Sequence, residues 1–157
     1  MPPRNPQTNQ RKKEMNKYRI TAKNLNDAAD FIENEGRWTQ GEIMVAGDMG
    51  LDLDYEEVPK CADTKFCALG VLAHVKGLDP TTFDTAEAFT VRSATALHEA
   101  FGRPEFTAKD VSFAADLSID PPHRFYDVCD SIIDFNDKKG RKAKTVANRF
   151  RKAAGLL

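Results

Sequence analysis

Cys67 is the residue best placed to do chemistry. The sequence around it predicts a helix from Asp63 or Thr64 to Gly77, which puts Cys67 in its first turn or so. There the backbone dipole and free N–H groups can lower a thiol pKa. A thiolate nucleophile also needs a histidine base, and usually a polar orienter and an oxyanion donor. The chain order Gln40, Cys67, histidine, Asn136 echoes the order of roles in papain-like enzymes. His74 lies on the same helix face as Cys67 but about two turns away, too far to take its proton. His98 or His123 would have to supply the base, and neither has a recognisable motif around it. Cysteine is also among the residues most often fully buried. Inert packing is therefore the favoured reading of Cys67, and a cysteine-dependent hydrolase or transferase the alternative.

Cys61, Cys67 and His74 are spaced C-x5-C-x6-H. Zinc sites use tighter cysteine pairs and a fourth ligand of similar kind, so no metal is expected, although Cys129 is available as a fourth ligand. There is no glycine-rich phosphate loop and no dinucleotide fingerprint, and no cofactor is expected. The turn Trp38-Thr39-Gln40-Gly41 offers an indole and an amide to a ligand; the favoured reading is an aromatic tucked over a helix end. Asn136-Asp137 falls between two expected helices, where such side chains hydrogen-bond nearby backbone, and capping is the favoured role.

Charge supplies the binding candidates. Residues 1–18 carry a net +4, residues 138–157 a net +8, and the stretch between them a net −13, although the whole chain sums to −1. Lys138, Lys139, Arg141, Lys142, Lys144, Arg149, Arg151 and Lys152 are numerous enough to neutralise several phosphates. Arg11-Lys12-Lys13 would add to them. No nucleic-acid motif accompanies these charges. The bland alternative is that the basic ends dock on the acidic body or are merely solvated.

Stepping along the chain, residues 1–17 read as a flexible basic arm with almost nothing apolar to bury, and 18–157 as one helical domain. Leu25, Ala28, Ala29 and Ile32 recur at helical spacing, predicting a helix over 22–35 with Thr21 as N-cap and Gly36 closing it. Ile43-Met44-Val45 is β-prone, and a hairpin or ordered loop is expected at about 41–58, turning near Gly47–Gly50. The helix at about 64–76 is apolar nearly all round, so it belongs in the middle of the fold. Gly70 costs about 1 kcal/mol in its interior, a cost accepted if another segment approaches closely there.

Asp84-Thr85-Ala86-Glu87 has capping-box spacing and opens a helix to Gly102 with Phe89, Ala94, Leu97 and Phe101 facing inward. A short helix follows Thr107. Pro121-Pro122 start another, burying Phe125, Val128, Cys129, Ile132 and Phe135. The last, from about Arg141 to Ala154, carries the apolar stripe Ala143, Val146, Ala147, Phe150 and Ala154. The fold class is mainly α: a compact bundle of five to six helices around the central apolar one.

At 157 residues with 41% apolar and 30% charged composition, an ordinary globular core is expected. No apolar run approaches the roughly 20 residues that span a bilayer, and the N-terminus has no apolar signal region. Three cysteines without framework spacing point to a reducing, cytoplasmic setting.

Three of these segments together carry a resemblance: Gly36-Arg37-Trp38-Thr39-Gln40-Gly41, Cys67-Ala68-Leu69-Gly70-Val71-Leu72 and Phe135-Asn136-Asp137. The pattern resembles an uncharacterised family of small bacterial domains, notably of actinobacteria, and their phages, with W-x-Q-G, C-A-L-G-A-L and W-N-D motifs. It spans about residues 22–154. The chain departs from it at Phe135, where the family tends to have Trp, and in the acidic insert before Cys61. The resemblance implies a helical fold and a phage or bacterial source; it implies no activity. The functional expectation is a non-enzymatic interaction or accessory protein. Its basic ends, or the acidic face near Asp52–Glu57, would bind a protein or polyanion, nucleic acid included, and no membrane.

Overall fold

A computed structural model of the chain describes residues 6–7, 18–45, 63–81, 89, 91–102 and 122–157, without the side chains of 91–92 and 122–127. Among the described residues, five helices and one two-stranded sheet form a mainly α bundle.

Helix α1 is Ala22–Glu35. Thr21 is extended, and its hydroxyl oxygen accepts from Asn24 N at 3.2 Å, while Asn24 Oδ1 accepts from Thr21 N at 3.0 Å. This is a reciprocal capping box closed by asparagine in place of the usual Glu or Gln. Gly36, at φ 63°, ends the helix in the left-handed region. The expected face is buried, and Phe31 joins it.

The sheet pairs β1 (Met44–Val45) antiparallel with β2 (Lys65–Phe66), Met44 opposite Phe66. Two expectations are corrected here. The strand paired with β1 lies beyond the expected hairpin at 41–58, and helix α2 starts at Ala68, not at Asp63 or Thr64, running to Val75. The reason is tertiary. Phe66 N donates to Arg37 O and Phe66 O accepts from Thr39 N, both at 2.9 Å, so this backbone is already paired across the chain. Residues 46–62, with the expected turn at Gly47–Gly50 and the acidic stretch, lie outside the described residues.

Every residue of α2 from Ala68 to Ala73 is buried. Gly70 is accounted for by close approach: a Cβ there would run into the carbonyl oxygen of Ile43, far inside contact distance. Helix α3 is Val91–Phe101, α4 Pro122–Asp137 and α5 Ala143–Leu156. Phe89, Ala94, Leu97 and Phe101 are buried as expected, as are Val128, Cys129 and Ile132. Phe135 and Ala143 are only partly covered. Helix α5 begins two residues later than expected because Lys142 is extended, at φ −101° and ψ 148°, and acts as the N-cap position. The Asp84 capping box, the short helix after Thr107 and nearly all of the N-terminal arm lie outside the described residues.

The broadest helix–helix contact is α1 against α5. Helix α5 also packs on α3, α3 on α4, and α2 fills the space against α1 and α4. No described helix is long and apolar enough to cross a membrane.

Candidate functional site

The three sequence motifs meet at one polar junction between the start of α2 and the end of α4. Its hub is Asn136, fully buried in the last turn of α4. Asn136 Oδ1 accepts from the Trp38 indole Nε1 at 2.6 Å and from Ala68 N at 3.0 Å. Its Nδ2 donates to Thr39 O at 3.2 Å and to Asp137 Oδ1 at 2.8 Å. Asp137 Oδ1 also accepts from Gly41 N at 3.0 Å. Gln40 Nε2 donates to the carbonyls of Asn136 and Lys138, at 2.7 and 3.1 Å.

These bonds solve the problem of two helix ends. The first N–H groups of α2 and the last carbonyls of α4 have no partners within their own helices. Asn136 satisfies Ala68 N from a distant element, and Gln40 satisfies the end of α4. Asn136 is therefore a cap, as its sequence position suggested, but for a helix 68 residues away rather than for adjacent backbone.

Cys67, Gln40 and Asn136 of the catalytic alternative are thus brought to one place, but the polar groups of Gln40 and Asn136 are engaged in holding backbone. Cys67 is 5% exposed. Its own N–H donates to Ile43 O at 3.2 Å. Burial pushes the thiol up from its ordinary value, with a further push from the Asp137 carboxylate. The Gly70 and Leu69 N–H groups pull it the other way without closing a capping hydrogen bond on the sulfur. The helix-start effect expected from sequence is present and is outweighed by desolvation. His98 is buried on α3. His123 belongs to α4, with its side chain outside the described residues. His74 stacks on Phe66 with ring centroids 4.7 Å apart and packs against Phe31 at 5.1 Å, as part of the core's edge. Among the described residues, no group of three His, Cys, Asp or Glu side chains gathers to hold a metal; Cys61 lies outside them.

The eight basic candidates divide by residue type. The three arginines are turned to the protein itself. Arg141 Nε donates to Phe135 O at 2.9 Å, and its guanidinium lies 3.8 Å from the Phe135 ring centroid. Arg149 donates to Ala100 O at 3.3 Å and covers the same ring at 5.1 Å. Arg151 pairs with Asp30 at 3.2 Å and Glu33 at 2.5 Å on α1, which is the docking of basic end on acidic body that charge segregation allowed. The five lysines, Lys138, Lys139, Lys142, Lys144 and Lys152, are exposed, and no ion pair among the described residues engages them.

Two residues of the motifs have roles that the sequence did not specify. Arg37 Nε donates to Thr64 O at 2.8 Å, and the guanidinium lies over Phe31 at 4.9 Å, clamping the strand region to α1. Asp137 ties the glycine turn to α4. The bonds that join Arg37 to Thr64 O and Asp137 to Gly41 N have no local signal, because those partners are remote in sequence.

Fold and junction define a small mainly α domain whose polar motifs are spent on joining helix ends. The chain belongs to DUF6197, a family of unknown function, which matches residues 18–156. No curated protein and no solved structure matches the chain.

Proposed function

We propose that this chain is a non-enzymatic accessory module, phage-encoded or bacterial and working in a cytoplasm, that binds an anionic partner. The contact surface is the lysine turn 138–142 and the outer face of α5. The observation that carries the reading is the division of the basic residues: three arginines are consumed internally, while five lysines stay exposed without carboxylate partners among the described residues. The first turn of α5 holds no acidic residue, although Lys142 and Lys144 sit there against the positive end of the helix dipole. A local rule broken without internal compensation is what a binding surface leaves behind. Cys67 and Cys129 as buried thiols suit a reducing compartment.

The cysteine-enzyme alternative draws no support from a buried thiol whose ionisation is disfavoured. The test of the interaction reading is retention on immobilised heparin across a salt series. The wild-type chain should elute at distinctly higher salt than a variant with all five lysines changed to Gln. Equal elution of the two would remove the reading.

A further inference from the structure

We infer that the anionic partner is the sugar–phosphate backbone of double-stranded DNA, held without reading its bases; the inference rests on the interaction reading above. Lysine's ammonium is a compact point charge that binds phosphate without fixing its orientation, whereas arginine's planar fork grips carboxylate, phosphate or a guanine edge bidentately. The structure withholds the forks and presents the point charges.

The same surface is poorly made for two other anionic partners, an acidic protein and a single-stranded nucleic acid. Protein interface cores are enriched in Tyr, Trp, Phe, Met and Arg and depleted in Lys. Among the described residues the only exposed large hydrophobic side chains are Leu156 and Leu157, at the end of α5. A single-stranded nucleic acid needs aromatic platforms on which its bases stack. Trp38 gives its indole N–H to Asn136 and Phe135 is covered by two guanidinium groups, so neither is offered as a platform.

Base readout is equally unsupported. Bases are read in the major groove by bidentate Arg, Asn or Gln. Asn148, on the outer face between Lys144 and Lys152, accepts from Arg151 at 3.1 Å. Lys144 and Lys152 lie two turns apart on one face of α5, about 12 Å along its axis. Lys142, Lys139 and Lys138 continue the charge past the helix start. Duplex DNA carries one charge per about 1.7 Å of its axis, so a patch of this length faces several phosphates at any register.

The test is fluorescence anisotropy of the full chain with a labelled short DNA duplex, titrated with salt. Five phosphate contacts give a slope of log affinity on log salt of about −4.5, or about 500-fold weaker binding between 50 and 200 mM salt. Changing Lys138 and Lys139 together to Gln should reduce the slope by about 1.8, two contacts' worth. Lys23→Gln, on the exposed side of α1, should leave it unchanged. Single-stranded DNA, duplex RNA and polyglutamate are measured at the same salt. Binding any of them as tightly as duplex DNA, or a slope indifferent to the lysine changes, overturns the inference. Heparin retention without duplex binding overturns it while leaving the interaction reading intact, and loss of both overturns both.

Discussion

The indole N–H of Trp38 meets the side-chain oxygen of Asn136 at 2.6 Å, across 98 residues of sequence. The same oxygen takes Ala68 N at 3.0 Å, so one buried amide serves an aromatic side chain and a helix start together. Removing it leaves the buried Ala68 N–H and the part-buried indole N–H without this acceptor.

Asn136→Ala should therefore cost about 2 kcal/mol or more, since an unsatisfied buried donor costs roughly 1–3 kcal/mol and the part-buried indole N–H adds to it. Trp38→Phe, which removes only one donor, should cost markedly less. Urea unfolding of the two variants measures the difference. Asn136→Asp keeps the acceptor for Trp38 and Ala68 but loses the amide donations to Thr39 O and Asp137 Oδ1, so it should cost less than Asn136→Ala. Equal loss for all three variants would show that the amide is not the hub.

How much of this was legible in the sequence depended on how local each signal is. Helix α1 was readable at both ends because Thr21 and Gly36 act on adjacent backbone. The reason for Gly70 was readable because a glycine inside an apolar helix demands a close neighbour, though not that the neighbour is Ile43 O. The start of α2 was misplaced because Asp63 and Thr64 look like caps, while Phe66 is claimed by Arg37 and Thr39. The three motifs were visible one by one, but their meeting was not, because the hydrogen bonds that join them link segments far apart along the chain. The basic helix was legible as charge; its division into inward arginines and outward lysines needed the positions of Phe135, Ala100, Asp30 and Glu33.

Gly70→Ala tests the close approach. In an open helix this change would gain about 1 kcal/mol. Here the added carbon meets backbone, not a yielding side-chain end, and overpacking of this kind costs about 1–3 kcal/mol. A lower melting temperature is expected. A higher one would mean that Ile43 moves aside freely.

Cys129 makes stability sensitive to alkali. Burial, with help from Asp130, pushes its thiol up from 9.0 to about 12. The folded protein thus holds its proton where the unfolded chain has released it. This contribution is intact below pH 9 and is lost as pH rises from 9 toward about 12, by about 1.4 kcal/mol per unit. Cys129→Ala forfeits packing at neutral pH but carries no such penalty. The stability gap between wild type and variant should narrow above pH 9. A gap that stays constant to pH 11 would contradict a strongly raised thiol.

The division of labour between arginine and lysine gives the sharpest pair of measurements. Arg141 holds Phe135 O at 2.9 Å and stacks on the Phe135 ring, so Arg141→Gln should lower stability by about 1–2 kcal/mol. Because that guanidinium faces the protein, the salt dependence of duplex binding should keep its slope, provided the measurement is made where the variant is fully folded. Lys138 and Lys139 are exposed and outside any helix, so changing both to Gln should leave the melting temperature within about a degree or two, as surface changes do, and reduce the slope. An Arg141→Gln variant that keeps its stability and loses slope would place arginine among the phosphate contacts, and the lysines would then lose their distinct role.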